Sequence, residues 1–202
     1  RVLSDAPKID KAWEENVYAF PMRTVLRNDN FALAQLLLEH GVKVPRTSWE
    51  ELPVATIQWL VAQNVDLREG IRGHEAEVLS MREMHDDEQA VEKLDLFLAA
   101  GLDINTRNRG YTSLMLARSP RVISMLISRG ADIRAAKQPN VWTRTEVDGN
   151  TVLHFLTSRN QRGDDARHDE LAPIIERILD RGVSVDVVGH AGRTPLFEAS
   201  PR

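Results

Sequence analysis

The chain has 202 residues, 42% of them hydrophobic and 28% charged, so it carries enough apolar mass to bury a core and is not a disordered tail. It has no cysteine, which excludes disulfides, thiolate metal sites and a cysteine nucleophile, and suits a reducing compartment. Its formal charge of −4 is uneven: residues 1–100 hold 11 basic against 18 acidic side chains, and residues 101–202 hold 15 against 12, a balance that could steer an acidic partner to the second half.

Residues 1–21 open with RVLSDAPKID, which has no apolar signal core. A cap helix is expected over Lys11–Phe20, with Trp13, Val17 and Phe20 on one face, broken at Pro21. Residues 22–43 read as a two-helix unit: Thr24-Val25-Leu26-Arg27, a polar break at Asn28-Asp29-Asn30, then an apolar helix Phe31–His40 stopped by Gly41. Residues 46–67 repeat the plan. A cap signal lies at Thr47–Leu52, Pro53 separates it from a helix over Val54–Gln63, and Asn64 stands where the stop glycine stood.

The unit at 72–105 is expected to hold a helix over Gly73–Met84, with Ala76, Leu79 and Met84 inward. A polar stretch His85–Glu88 leads to a helix Gln89–Ala99 and Gly101. The unit at 108–134 has a turn at Gly110, a short segment opened by Thr112, a break at Ser119-Pro120, and a second helix with Val122, Ile123, Leu126 and Ile127 before Gly130. The unit at 148–186 opens at Asp148-Gly149-Asn150-Thr151, is interrupted by polar Ser158–Glu170, and stops at Gly182. Residues 190–202 begin another unit and break off, so the chain reads as a piece of something longer. Thr24 to Gly41 and Thr47 to Asn64 are both 17 residues, and Thr112 to Gly130 is 18. Such recurrence predicts an all-α solenoid, a single domain over 1–202, in which each short helix pair buries its face on the next.

Several stretches carry a family likeness. Gly192-Arg193-Thr194-Pro195-Leu196 followed by Ala199 resembles the opening G-x-T-P-L-H-x-A of an ankyrin repeat, with Phe197 in the His slot. Gly149–His154 and Gly110–Ala117 resemble it with Val152 and Ser113 for the Pro and Met115 for the His. Gly101–Asn105 and Gly130–Ile133 resemble the close of the same repeat. The likeness implies stacked helix-turn-helix units with short hairpin-like loops. It also implies a structural use for His154, whose imidazole would tie neighbouring turns together. The physical sense is plain: Thr caps a backbone N–H, and Pro suits a first helical position where its missing donor is not needed.

No catalytic set stands out. Asp164–Glu170 has the composition of a metal cluster but no recognised spacing, and Arg167 would repel a cation; His85–Glu88 has the same weakness. The glycines sit singly at turns and form no phosphate cradle. The expectation is therefore no enzyme, no cofactor and no metal.

The resemblance implies instead a concave surface of first helices and hairpin tips that binds another protein. On that mapping the exposed positions are Asn108, Arg109, Tyr111, Leu116, Arg118, Val147, Asp148, Asn150, Phe155, His190, Ala191 and Arg193. The tip between Ala136 and Glu146 is lengthened by KQPNVWTRT. Trp142, beside Arg144, either folds back on the scaffold or is presented to a partner. An intracellular protein-interaction module is the leading reading, in the cytoplasm with the nucleus left open. The alternative is the recognition arm of a larger enzyme or effector. A nucleic-acid binder ranks last, because no basic stripe is visible, and no apolar run reaches the ~20 residues of a membrane span. Self-association through the uncapped last repeat is a further expectation.

Overall fold

The computed structural model describes residues 22–44, 49, 52–81, 87–139, 149–159 and 168–199. Its helices are α1 (22–27), α2 (Phe31–Glu39), α3 (Val54–Ala62), α4 (Leu67–Ile71), α5 (Glu75–Leu79) and α6 (Asp87–Ala99), then α7 (Ser113–Leu116), α8 (Pro120–Ser128), α9 (Val152–Arg159), α10 (His168–Asp180) and α11 (Pro195–Ala199). One antiparallel ribbon joins β1 (Arg107–Asn108) to β2 (Tyr111–Thr112). The fold is all-α, as the periodicity predicts. Among the described residues no helix is long and apolar enough to cross a membrane. The chain divides into two units, Arg1–Arg72 and Gly73–Arg202.

One stop signal ends the longer helices. After α2, Gly41 takes φ 79°; its N–H donates to Leu38 O at 2.9 Å and the Val42 N–H to Leu37 O at 3.0 Å. This pair of bonds satisfies carbonyls that the helix itself cannot reach. The same pair recurs at Asn64-Val65, Gly101-Leu102, Gly130-Ala131 and Gly182-Val183. Asn64 adopts φ 56°, so the expectation that it replaces the glycine holds. Just beyond, Asp66, Asp103 and Asp132 each accept the N–H two residues on, at 3.0, 2.9 and 2.9 Å, and the Ser184 hydroxyl does so at 3.1 Å. These small turns redirect the chain after four of the five stops. The side chain and backbone N–H of Arg68 hold the Asp66 carboxyl below its usual range.

In the first unit Met22 and Leu26 of α1, Ala34 of α2, Ile57 and Leu60 of α3 and Leu67 and Ile71 of α4 are buried, together with Trp49 and Leu52. The buried Thr56 hydroxyl donates to Leu26 O at 2.9 Å, fastening α3 to the end of α1, and also meets Asp29. Thr24 lies inside α1 and faces out. The cap signal at Thr47 and the helix with Trp13, Val17 and Phe20 lie outside the described residues.

The second unit is two layers of helices. α5, α7, α9 and α11 pack in succession; α6, α8 and α10 do the same behind them; α7 lies on α8, and α9 on α10. α8 shows why. Its Val122, Ile123, Leu126 and Ile127 are all buried, whereas Arg121 and Ser128 face out. Each such side chain contributes about 1.5–3 kcal/mol of burial. The Ser119 Oγ accepts the Val122 N–H at 3.4 Å, and Pro120 takes the first turn, where it leaves no donor unpaired. Between α6 and α8, the Arg129 guanidinium forks onto Asp95 at 2.9 and 2.7 Å, a pairing that raises the Arg129 pKa.

The helix expected over Gly73–Met84 is shorter than that. α5 ends at Leu79, and Met81 turns the chain with φ 47°. A methionine in that conformation carries no sequence signal, and its burial offsets part of the strain. α4, immediately before, was not expected. Asp66 caps it by accepting the Arg68 N–H.

Candidate functional site

Those expected site residues that are described fall at the hairpin tips and first helices of the second unit. The β1–β2 loop consists of Arg109 and Gly110, with φ 49° and 86°. Two successive positive φ values make the tight turn that suits the twist of a hairpin. Gly110 is needed twice over: for its conformation, and because a Cβ there would overlap the Gln138 carbonyl oxygen. The Gln138 N–H donates to Gly110 O at 3.0 Å. Arg107 completes the joint, its Nη1 donating to Gly110 O at 3.2 Å and to Ala136 O at 2.8 Å.

Beside this loop, the Asn108 amide donates to the Glu77 carboxylate, which also meets His74 Nδ1 at 3.0 Å. Tyr111 and Phe155 form a tilted ring pair, centroids 5.6 Å apart, and both are half-buried. The Lys137 ammonium sits 4.6 Å over the Tyr111 ring. Leu116 is half-buried and Arg118 exposed, at the end of α7. The structure thus joins Tyr111 of one hairpin to Phe155 of the next repeat's first helix.

A second group lies one repeat on. Ala136 pairs with Thr151, and the Lys137 N–H donates to Asn150 O at 2.8 Å. The Asn150 Oδ1 accepts the His190 N–H at 2.8 Å. His154 is 1% exposed. Its Nδ1 accepts the Thr151 N–H at 3.0 Å, so the ring proton belongs on Nε2, which donates to Arg193 O at 3.1 Å. Both ring nitrogens are committed, and the imidazole ties one turn to the next as the resemblance implies.

The Thr caps follow suit. Thr112 Oγ1 accepts the Met115 N–H at 3.4 Å, and Thr194 Oγ1 accepts the Phe197 N–H at 3.3 Å. Capped short helices, left-handed stops and an imidazole between turns define the unit. The fold is of the ankyrin-repeat type. No family model matches the chain. Among solved structures it is similar to the ankyrin repeat domain of Bcl-3, a member of the IkappaB protein family, at 16% identity over 89% of this chain and 93% of that one, with a TM-score of 0.47.

Arg193 stacks its guanidinium 5.2 Å from the Phe197 ring and meets Glu198 at 3.4 Å. Leu196 and Phe197 are 73% and 59% exposed, so the last helix presents apolar surface. His190 and Ala191 are exposed. Trp142, Arg144, Val147 and Asp148 lie outside the described residues, as do Asp164 to Arg167 and His85-Asp86. Among the described residues no group of three or more His, Asp or Glu side chains converges on a metal position. A groove of about 450 Å³ between α8 and α10, lined by Pro120, Arg121, Ser124, Glu170 and Ile174, brings no reactive pair together.

Two contributors were missed from sequence, Arg107 and Lys137. A signal existed for Lys137: it stands five residues after Asp132, as Asn108 stands five after Asp103. The shared offset puts both on the hairpin.

Proposed function

We propose that the chain is a protein-interaction module that grips a partner chain through the hairpin tips and first helices of the second unit. The observation that carries this reading is the Tyr111–Phe155 pair: two half-buried rings from successive repeats, edged by Lys137, where a packed scaffold has no need to leave aromatic surface open. Tyr and Arg are residue types that anchor interfaces. On this reading Asn108, Arg109, Leu116, Arg118, Asn150, His190 and Arg193 add to the contact with the partner, as do Trp142, Arg144, Val147 and Asp148. The module works inside the cell on another protein, not on a membrane or a nucleic acid.

The test is a titration of a captured and identified partner by calorimetry. Tyr111→Ala and Phe155→Ala are each expected to weaken binding about tenfold or more while leaving the helical circular-dichroism signal unchanged. Unchanged affinity in both variants removes the assignment.

A further inference from the structure

The β1–β2 loop holds a residue at odds with its backbone. Arg109 sits at φ 49° in a two-residue turn, a conformation that Asn or Gly adopts with far less strain. Its side chain is exposed at the tip. A long cation held there against local preference points to use at the surface, since an outlier of this kind tends to cluster with binding function.

The neighbours share its sign. Two residues on, Tyr111 carries the Lys137 ammonium over its ring, and Arg107 adds a second guanidinium at the root of the same hairpin. The carboxylate of Glu77 reaches this hairpin, but Asn108 and His74 already engage it. Next to the cations lies the apolar Tyr111–Phe155 pair. A ligand that satisfies both halves must bring negative charge and an apolar side chain together.

Resting on the interaction reading above, we propose that this tip takes an acidic peptide segment of the partner. Its carboxylates meet Arg109 and Lys137, and an adjacent apolar side chain lies on the Tyr111–Phe155 pair. Carboxylate suits a guanidinium through its planar fork. A nucleic acid fits less well: the two rings are tilted by 60°, so they do not line up as a stacking platform for successive bases.

A random peptide library displayed on phage and selected on the intact chain tests this. Enriched peptides are expected to carry an excess of Asp and Glu beside an apolar residue, and to lose affinity about fivefold between about 50 and about 300 mM salt. Arg109→Asn should weaken them about five- to tenfold while leaving the thermal midpoint unchanged or raised, because Asn relieves the turn. Enriched peptides that need Tyr111 and Phe155 yet carry no acidic excess overturn the acidic segment and leave the interaction reading standing. Selection of nothing that depends on the ring pair overturns both. Displacement of the acidic peptides by an equimolar oligothymidylate turns the site into a general polyanion surface and also overturns the proposal.

Discussion

The two joints that link the hairpins of the second unit differ in material. At the Gly110 joint a half-exposed guanidinium, Arg107, holds two backbone carbonyls of successive hairpins. At the Asn150 joint a fully buried imidazole, His154, accepts from its own turn and donates to the next. Met115 occupies the place after Thr112 that His154 occupies after Thr151, and it is just as buried, at 1% exposure. The position therefore demands a filler in both repeats, whereas the hydrogen bond that ties neighbours can be supplied from elsewhere. The difference teaches where substitution is tolerated. A tie made in partial contact with water can be lost to water, but a buried one leaves unsatisfied groups behind.

This contrast can be broken by measurement. The largest effect is expected from Gly110→Ala, which combines a disallowed conformation with overlap on the Gln138 carbonyl; urea unfolding should show a loss of about 3 kcal/mol or more. Next comes His154→Ala, which strands the Thr151 N–H, takes away one of the two donors to the Arg193 carbonyl and leaves a cavity. A loss of about 2–3 kcal/mol is expected, with faster hydrogen exchange at the Thr151 amide. Arg107→Ala should cost only about 0.5–1.5 kcal/mol by the same measurement. If Arg107→Ala proves the more damaging of the last two, the ranking of the joints is reversed and burial is not what sets their strength.

Much of the fold can be read in the residues themselves because its signals are local. Gly41, Asn64, Gly101, Gly130 and Gly182 announce left-handed stops, and Thr112, Thr194 and Ser119-Pro120 announce helix starts; each acts within a few residues. The tie through His154 was legible only by likeness to a known repeat. The helix expected from Gly73 to Met84 ran too long because the turn at Met81 depends on burial and not on residue type. Arg107 was missed for a related reason. Its bond to Ala136 spans 29 residues and ends on a carbonyl, which has no sequence signature. The pairing of Tyr111 with Phe155 likewise exists only once two repeats are stacked.

The neck formed by Ala136, Lys137, Asn150 and Thr151 has a consequence for how such a chain can change. The bridge between Ala136 and Thr151 and the bond from Lys137 to Asn150 close the base of the lengthened tip, and Gln138 is anchored on Gly110 from the other side. Sequence enclosed by a sealed base can grow or shrink with little penalty, since doubling a loop costs only about 0.6 kcal/mol. The clasp thus makes this spot a natural graft point, where new segments could be tried on without disturbing the stack that carries them.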